Sequence, residues 1–238
     1  MEQTAPRRYN PGMTRHALDI DAVIFDMDGL MFDTERIRLD AWQMVARQEG
    51  YEIPERLLID CIGKTTTDSE QYLNAALAHS GFDYRRARAI RGKYMREMVA
   101  DGVPVKTGLD AMLDAVDSLG LAKAVATSTR RDETIDLLTR TGLIGRFDAI
   151  ACGNEVANGK PAPDIVLLAA ERLGVGPERC MVLEDSENGV RAAVAAGALP
   201  VVIPDIKPPG DEVLSLAHER FDSLSEAAAF VLEALGER

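Results

Sequence analysis

The chain has 238 residues, 46% of them hydrophobic, which is enough for one large core or for a core with a smaller companion. Lysine and arginine number 27 against 39 aspartates and glutamates, and the resulting charge of −12 repels nucleic-acid phosphates and anionic lipid. Aromatics make up only 5%, so aliphatic side chains must supply most of the burial, as helix-flanked parallel sheets require.

Residues 1–17 contain Pro6, Pro11, Gly12 and several basic side chains without the apolar segment of a secretory signal, and a mobile tail is expected there. From Asp19 to Asp26 a short apolar run ends in a carboxylate, the pattern of a buried strand. The next strand pattern begins only at Lys123, so residues 27–122 intervene, whereas a crossover between parallel strands needs about a dozen residues. Helical periodicity fills that interval at Glu35–Glu49, Asp68–His79, Tyr84–Val99 and Leu109–Leu119, punctuated by Gly50, Gly63, Gly81 and Gly102. Beyond it, strand patterns at Lys123–Thr127, Phe147–Ala151, Cys180–Glu184 and Pro200–Ile203 alternate with helices at Asp132–Thr141, Asp164–Leu173 and Glu187–Ala196. A last amphipathic helix is expected over Ser223–Leu235. Regular alternation of this kind implies parallel strands with right-handed crossovers. The predicted fold is α/β: a doubly wound, Rossmann-like parallel sheet over 18–34 and 103–238, with an all-helical insertion over 35–102.

Ligands of open α/β sheets bind beyond the carboxyl ends of the strands, and four such places carry reactive groups. At the first, Asp26-Met27-Asp28-Gly29, one carboxylate can attack as a nucleophile while the other handles the proton of the leaving oxygen. The plainer alternative is a solvated turn. At the second, Thr127-Ser128-Thr129, hydroxyls and backbone N–H groups can hold phosphate oxygens, or Ser128 or Thr129 can simply cap the next helix. At the third, Asn158 to Asp164, Pro161 and Pro163 stiffen a loop that presents Lys160. At the fourth, Glu184 and Asp185 end an apolar strand, where ionised groups are costly unless a hard cation such as magnesium compensates them. Here too a capping role for Asp185 or Ser186 is the simpler alternative, compatible with the first.

Read together, these residues resemble the haloacid dehalogenase superfamily, whose four motifs are matched by Asp26-x-Asp28-Gly29, Thr127, Lys160 and Glu184-Asp185. The resemblance spans about Ile20 to Ile203. The runs Phe25 to Glu35 and Gly159 to Asp164 point to the branch that holds beta-phosphoglucomutase and many small-metabolite phosphatases. It implies magnesium-dependent hydrolysis of a small phosphorylated metabolite, a sugar phosphate or similar, through an aspartyl-phosphate. Asp26 would be the nucleophile and Asp28 the acid and base. Thr127, Ser128 and Lys160 would bind the phosphoryl group. Mg²⁺ would be held by Asp26, the Asp28 carbonyl and Asp185, with Glu184 a direct ligand or one step removed. The helical insertion would be the family's cap, with Gly63, Lys64 and Thr65 in its specificity loop.

Two rivals are weighed on residues. The mutase supplies a histidine in its first cap helix and an arginine after the specificity-loop glycine, where spacing here places Arg38 and Thr66, so a phosphomutase is the alternative rather than the first reading. A non-enzymatic phospho-acceptor module of signalling type lacks both a large insertion and a second acid two residues after the acceptor, so Asp28 and residues 35–102 favour an enzyme. Gly63-Lys64-Thr65 is no nucleotide phosphate loop, because its earlier glycine would fall at Leu58. Cys61, Cys152 and Cys180 are isolated thiols that suit a reducing compartment, and no apolar run approaches the ~20 residues needed to cross a bilayer. A cytoplasmic setting without nucleic acid or membrane partners is expected. A monomer is compatible with the sequence, which does not reveal the oligomeric state.

Overall fold

A computed structural model describes residues 18–64, 66–100 and 102–236. The expected tail over 1–17 and the candidate residue Thr65 lie outside the described residues. The chain divides into two compact units, one running from Asp33 to Pro104 and the other holding the residues before and after it.

In the first unit α1 (Thr34–Glu49), α2 (Glu55–Asp60), α3 (Thr66–Ala76) and α4 (Tyr84–Met98) follow one another without a strand among the described residues. Gly50, with φ of +78°, ends α1 in the left-handed conformation that glycine adopts without a Cβ penalty. Asp83 caps α4, accepting from the backbone N–H of Arg86 at 3.0 Å. The interior of this unit is partly aromatic, with Trp42 lying 5.7 Å from Tyr84 and 6.3 Å from Phe82, centroid to centroid. The six-residue α2 was not foreseen, being too short to show a helical period.

The larger unit is built on β1 (Ala22–Phe25), α5 (Leu109–Ser118), β2 (Ala122–Thr127), α6 (Arg131–Arg140), β3 (Ala149–Cys152), α7 (Asp164–Leu173), β4 (Cys180–Glu184), α8 (Glu187–Ala196), β5 (Leu199–Val202), α9 (Asp211–Leu214), β6 (Glu219–Arg220) and α10 (Leu224–Leu235). All strand pairings are parallel, in the order β3-β2-β1-β4-β5-β6. The doubly wound sheet expected from the alternation is therefore present, with β6 as an additional edge strand. β1 sits in the middle because its four residues, Ala22 to Phe25, are wholly buried, which only a strand covered on both faces tolerates. The chain reverses direction beside β1, passing first to β2 and β3 on one side and then to β4, β5 and β6 on the other. That reversal opens a crevice at the carboxyl ends of β1 and β4.

Side chains of modest size fill one face of this sheet: Ile24, Ala124, Ala126, Ala151, Ile165, Val166, Val182 and Ala192 belong to a single buried cluster. The many alanines let α7 and α8 approach the strands closely. Ser186 caps α8 by accepting from the Gly189 N–H at 3.1 Å, and Ser223 caps α10 by accepting from the Glu226 N–H at 3.2 Å.

Candidate active site

Asp26 follows β1 directly. Its N–H donates to the Leu183 carbonyl at 3.1 Å, which carries the β1–β4 ladder one residue past the strand and leaves the carboxylate at the crevice with only 7% of the residue exposed. The Lys160 ammonium meets it there. Its Nζ lies 2.5 Å from Asp26 Oδ1, 2.5 Å from Glu184 Oε1 and 3.1 Å from the Ala126 carbonyl. An ammonium has three donors, and these acceptors occupy all of them. The loop that delivers Lys160 is clasped shut, because Asp164 Oδ2 accepts from both the backbone N–H and the side-chain amide of Asn158, each at 3.1 Å.

Both oxygens of Glu184 have protein donors. Lys160 takes Oε1, while Ser186 donates to Oε2 from its hydroxyl at 3.0 Å and from its N–H at 3.3 Å. Asp185 packs over Gly29, where a Cβ would fall 2.3 Å from Asp185 Oδ2 at a backbone φ of +90°. Gly189 plays the same part beneath Glu184, since a Cβ there would fall 1.9 Å from its carboxylate. Gly189→Ala is accordingly expected to push Glu184 aside and to release Lys160 from its position. An open helical site would gain about 0.4–1 kcal/mol from such a change. Here thermal denaturation should instead register a loss, and kcat/KM should fall on the order of a hundredfold.

Asp28 is half-buried, with Oδ2 accepting from the Thr129 hydroxyl at 2.7 Å and lying 3.4 Å from the Thr127 hydroxyl. Thr127 Oγ1 in turn accepts from the Thr129 N–H at 3.0 Å. Ser128 is exposed, and its carbonyl faces Gly153, where a Cβ would come within 2.2 Å of it. Neither Ser128 nor Thr129 caps α6, whose N-cap is Arg130 without a side-chain bond. Thr129 is the hydroxyl that sequence reasoning under-weighted; the third member of Thr127-Ser128-Thr129 was its only signal.

Burial and charge give this group its electrostatics. Burial pushes the Asp26 carboxyl up to about 8, with Glu184 and Asp28 adding to the rise and Lys160 opposing it. Burial alone would depress the Lys160 ammonium, but Asp26 and Glu184 override it and hold its pKa above the ordinary lysine range. Asp26, Glu184 and Asp185, all buried, offer oxygens within 4.8 Å of one another, and the Lys160 ammonium is shared by Asp26 and Glu184. A hard cation at these oxygens would add to that neutralisation and keep Asp26 ionised.

Of the remaining candidates, Gly63 and Lys64 belong to the helical unit. Gly63 has φ of +80° and open space where a Cβ would stand. Lys64 is exposed, with Nζ 4.0 Å from the centroid of the Tyr72 ring. Asp68, an alternative helix cap, lies inside the first turn of α3.

The family model described as haloacid dehalogenase-like hydrolase matches residues 23–203, from within β1 to just past β5. The chain belongs to that family. As a haloacid dehalogenase-like hydrolase it is 36% identical to the phosphorylated carbohydrates phosphatase of Thermotoga maritima, over 75% of this chain and 82% of the relative. It is 33% identical to the fructose-1-phosphate phosphatase YqaB of Escherichia coli, over 74% of this chain and 92% of that one. Among solved structures, a haloacid dehalogenase family hydrolase of Deinococcus radiodurans with bound phosphate and sodium superposes with a TM-score of 0.76. That pair shares 30% identity and covers 91% of this chain and 97% of the other. These likenesses place the hydrolase in the small-metabolite phosphatase branch.

Proposed function

We propose that the protein is a magnesium-dependent phosphatase that hydrolyses a small phosphorylated metabolite, a sugar phosphate or similar, through an aspartyl-phosphate at Asp26. The observation that carries this reading is the buried group at the β1 and β4 ends, where a lysine, a nucleophilic carboxylate and two further acids converge. The names of the two phosphatase relatives support the substrate class.

The donor set fits magnesium: all-oxygen, acidic and buried. Asp26 and Asp185 would hold the ion with the Asp28 carbonyl. Glu184, with both oxygens engaged by Lys160 and Ser186, would stand one step removed and orient Lys160. When bound, the ion supplies positive charge against the phosphoryl oxygens. Asp26 attacks phosphorus in line with the ester oxygen, and the P–O bond to the leaving group breaks as the P–O bond to Asp26 forms. Asp28, aimed by Thr129, gives its proton to the departing oxygen. It then takes a proton from water as that water attacks the phosphoaspartate, which returns Asp26 and releases phosphate. Lys160 and Thr127 neutralise and position the phosphoryl group throughout, the main demand of this chemistry.

The helical unit Asp33–Pro104 serves in this reading as the cap that selects the substrate, with Gly63 and Lys64 in its specificity loop. A phosphomutase is less well supported, because Arg38 stands where that enzyme has a histidine, and a guanidinium does not exchange protons near neutral pH. None of Cys61, Cys152 and Cys180 forms a disulfide, which suits the reducing cytoplasm.

Exhaustive chelation is expected to abolish turnover of an aryl phosphate and of the best substrate in a panel of phosphorylated metabolites, and added Mg²⁺ to restore both. Undiminished activity in metal-free buffer would remove the ion from the mechanism.

A further inference from the structure

One cationic cluster lies wholly within the helical unit. On α1, Glu35, Arg38 and Trp42 follow at helical spacing along one face, and on α4, Tyr84, Arg88 and Arg91 do the same. The Trp42 indole is buried against Tyr84, and the Arg91 guanidinium lies over it, Cζ 5.1 Å from the ring centroid. Arg91 is largely withdrawn from water, yet among the described residues its Nε has no hydrogen-bond partner. Arg38 is nearby, one turn before Trp42, with its Nη1 2.5 Å from Glu35 Oε1 and 34% of its side chain exposed. Burial, reinforced by the like charges of Arg38 and Arg88, lowers the pKa of Arg91 to about 10. The buried carboxylate of Glu35 pairs with Arg38 and acts on Arg91 as an opposite charge, and Arg91 keeps a donor to spare among the described residues. Structural arginines are normally saturated with acceptors. This arrangement has the charge and the donors for an anion, with Arg38 providing access from solvent.

We propose that Arg91 and Arg38 form an anion-binding site in the helical unit, which selects substrates carrying a second anionic group, a phosphate or carboxylate, besides the phosphate that is cleaved. As a statement about substrates it rests on the phosphatase reading. As a statement about binding it does not.

Trp42 is the only tryptophan of the chain and lies against Arg91, so its fluorescence reports occupancy without turnover. Full-length Asp26→Asn protein would be titrated with two matched pairs: fructose 1,6-bisphosphate against fructose 1-phosphate, and 3-phosphoglycerate against glycerol phosphate. The expected result is a saturable Trp42 response at about tenfold or lower concentration for the doubly anionic member of at least one pair. The pair that responds tells phosphate from carboxylate. Adding Arg91→Gln should weaken that response about tenfold or more, Arg91→Lys should restore part of it, and Arg38→Gln gives an independent loss should Arg91→Gln not fold. In the active chain, either arginine change should lower kcat/KM for the preferred ligand through KM and leave aryl phosphate turnover within about twofold. Equal responses within both pairs, or a preference that survives both arginine changes, would overturn the site. Aryl phosphate turnover would then still leave the phosphatase reading standing. Conversely, a selective Trp42 response in a chain that hydrolyses no phosphate ester would support the site and sink the phosphatase.

Discussion

Asp26→Asn is expected to lower kcat by about ten-thousandfold or more, because no other group can form the bond to phosphorus and the rest of the site cannot compensate. The fold should survive. Asparagine keeps the volume of the side chain, and the buried carboxylate it replaces is one that burial already disfavours in its charged form. Lys160 retains Glu184 and the Ala126 carbonyl as acceptors. Thermal denaturation should therefore show an unchanged or slightly higher midpoint beside the loss of activity. Near-normal turnover in a folded Asp26→Asn protein would end the proposed mechanism.

Lys160→Met is expected to damage both activity and stability. Methionine fills the space but leaves the buried carboxylates of Asp26 and Glu184 without the cation that pairs with both. Removing one partner of a buried ion pair costs about 3–5 kcal/mol, and in a protein of this size that lowers the melting temperature by roughly 10 °C. Loss of the charge that steadies the phosphoryl group should lower kcat by about a hundredfold to a thousandfold. Two additions separate the electrostatic cause from mere repacking. Millimolar Mg²⁺ should recover part of the lost stability, and the double change Asp26→Asn with Lys160→Met should be more stable than the sum of the two single effects by about 1 kcal/mol or more. A double variant as unstable as the sum of its parts would show that Lys160 acts by packing and not by charge.

What could be read from the sequence follows the strength of local signals. The bounds of β4, α7 and α8 agree with the sequence reading because each is flanked by strong punctuation: Pro163 and Gly174 around α7, Ser186 and Gly197 after β4 and around α8. The edge strand β6 is two half-buried charged residues, Glu219–Arg220, paired on one side to β5. Nothing in that dipeptide marks a strand, and only the neighbouring strand makes it one. Asp26, Glu184 and Asp185 were legible as acids at the ends of apolar runs, and Lys160 as a lysine in a loop stiffened by the prolines that follow it. Their mutual contacts were not. That Lys160 bridges Asp26 and Glu184 depends on β1 lying between β2 and β4, and strand order is a property of the whole sheet rather than of any segment. That Thr129 supplies the hydroxyl beside Asp28 depends on how the chain turns after β2. Arg91 over Trp42 depends on two helices from distant parts of the insertion pairing, which periodicity within either one does not reveal.

The central claim is that the phosphoryl group passes through Asp26, and the most direct test is to catch it there. Asp28→Asn protein, slowed in attack by water, would be mixed with an activated aryl phosphate and Mg²⁺, quenched in acid and digested. Mass spectrometry would then locate any added phosphoryl group. The account predicts one such group on Asp26, absent when Asp26→Asn is added. A phosphoryl group on any other residue, or a full turnover of substrate with Asp26 never modified, would contradict it.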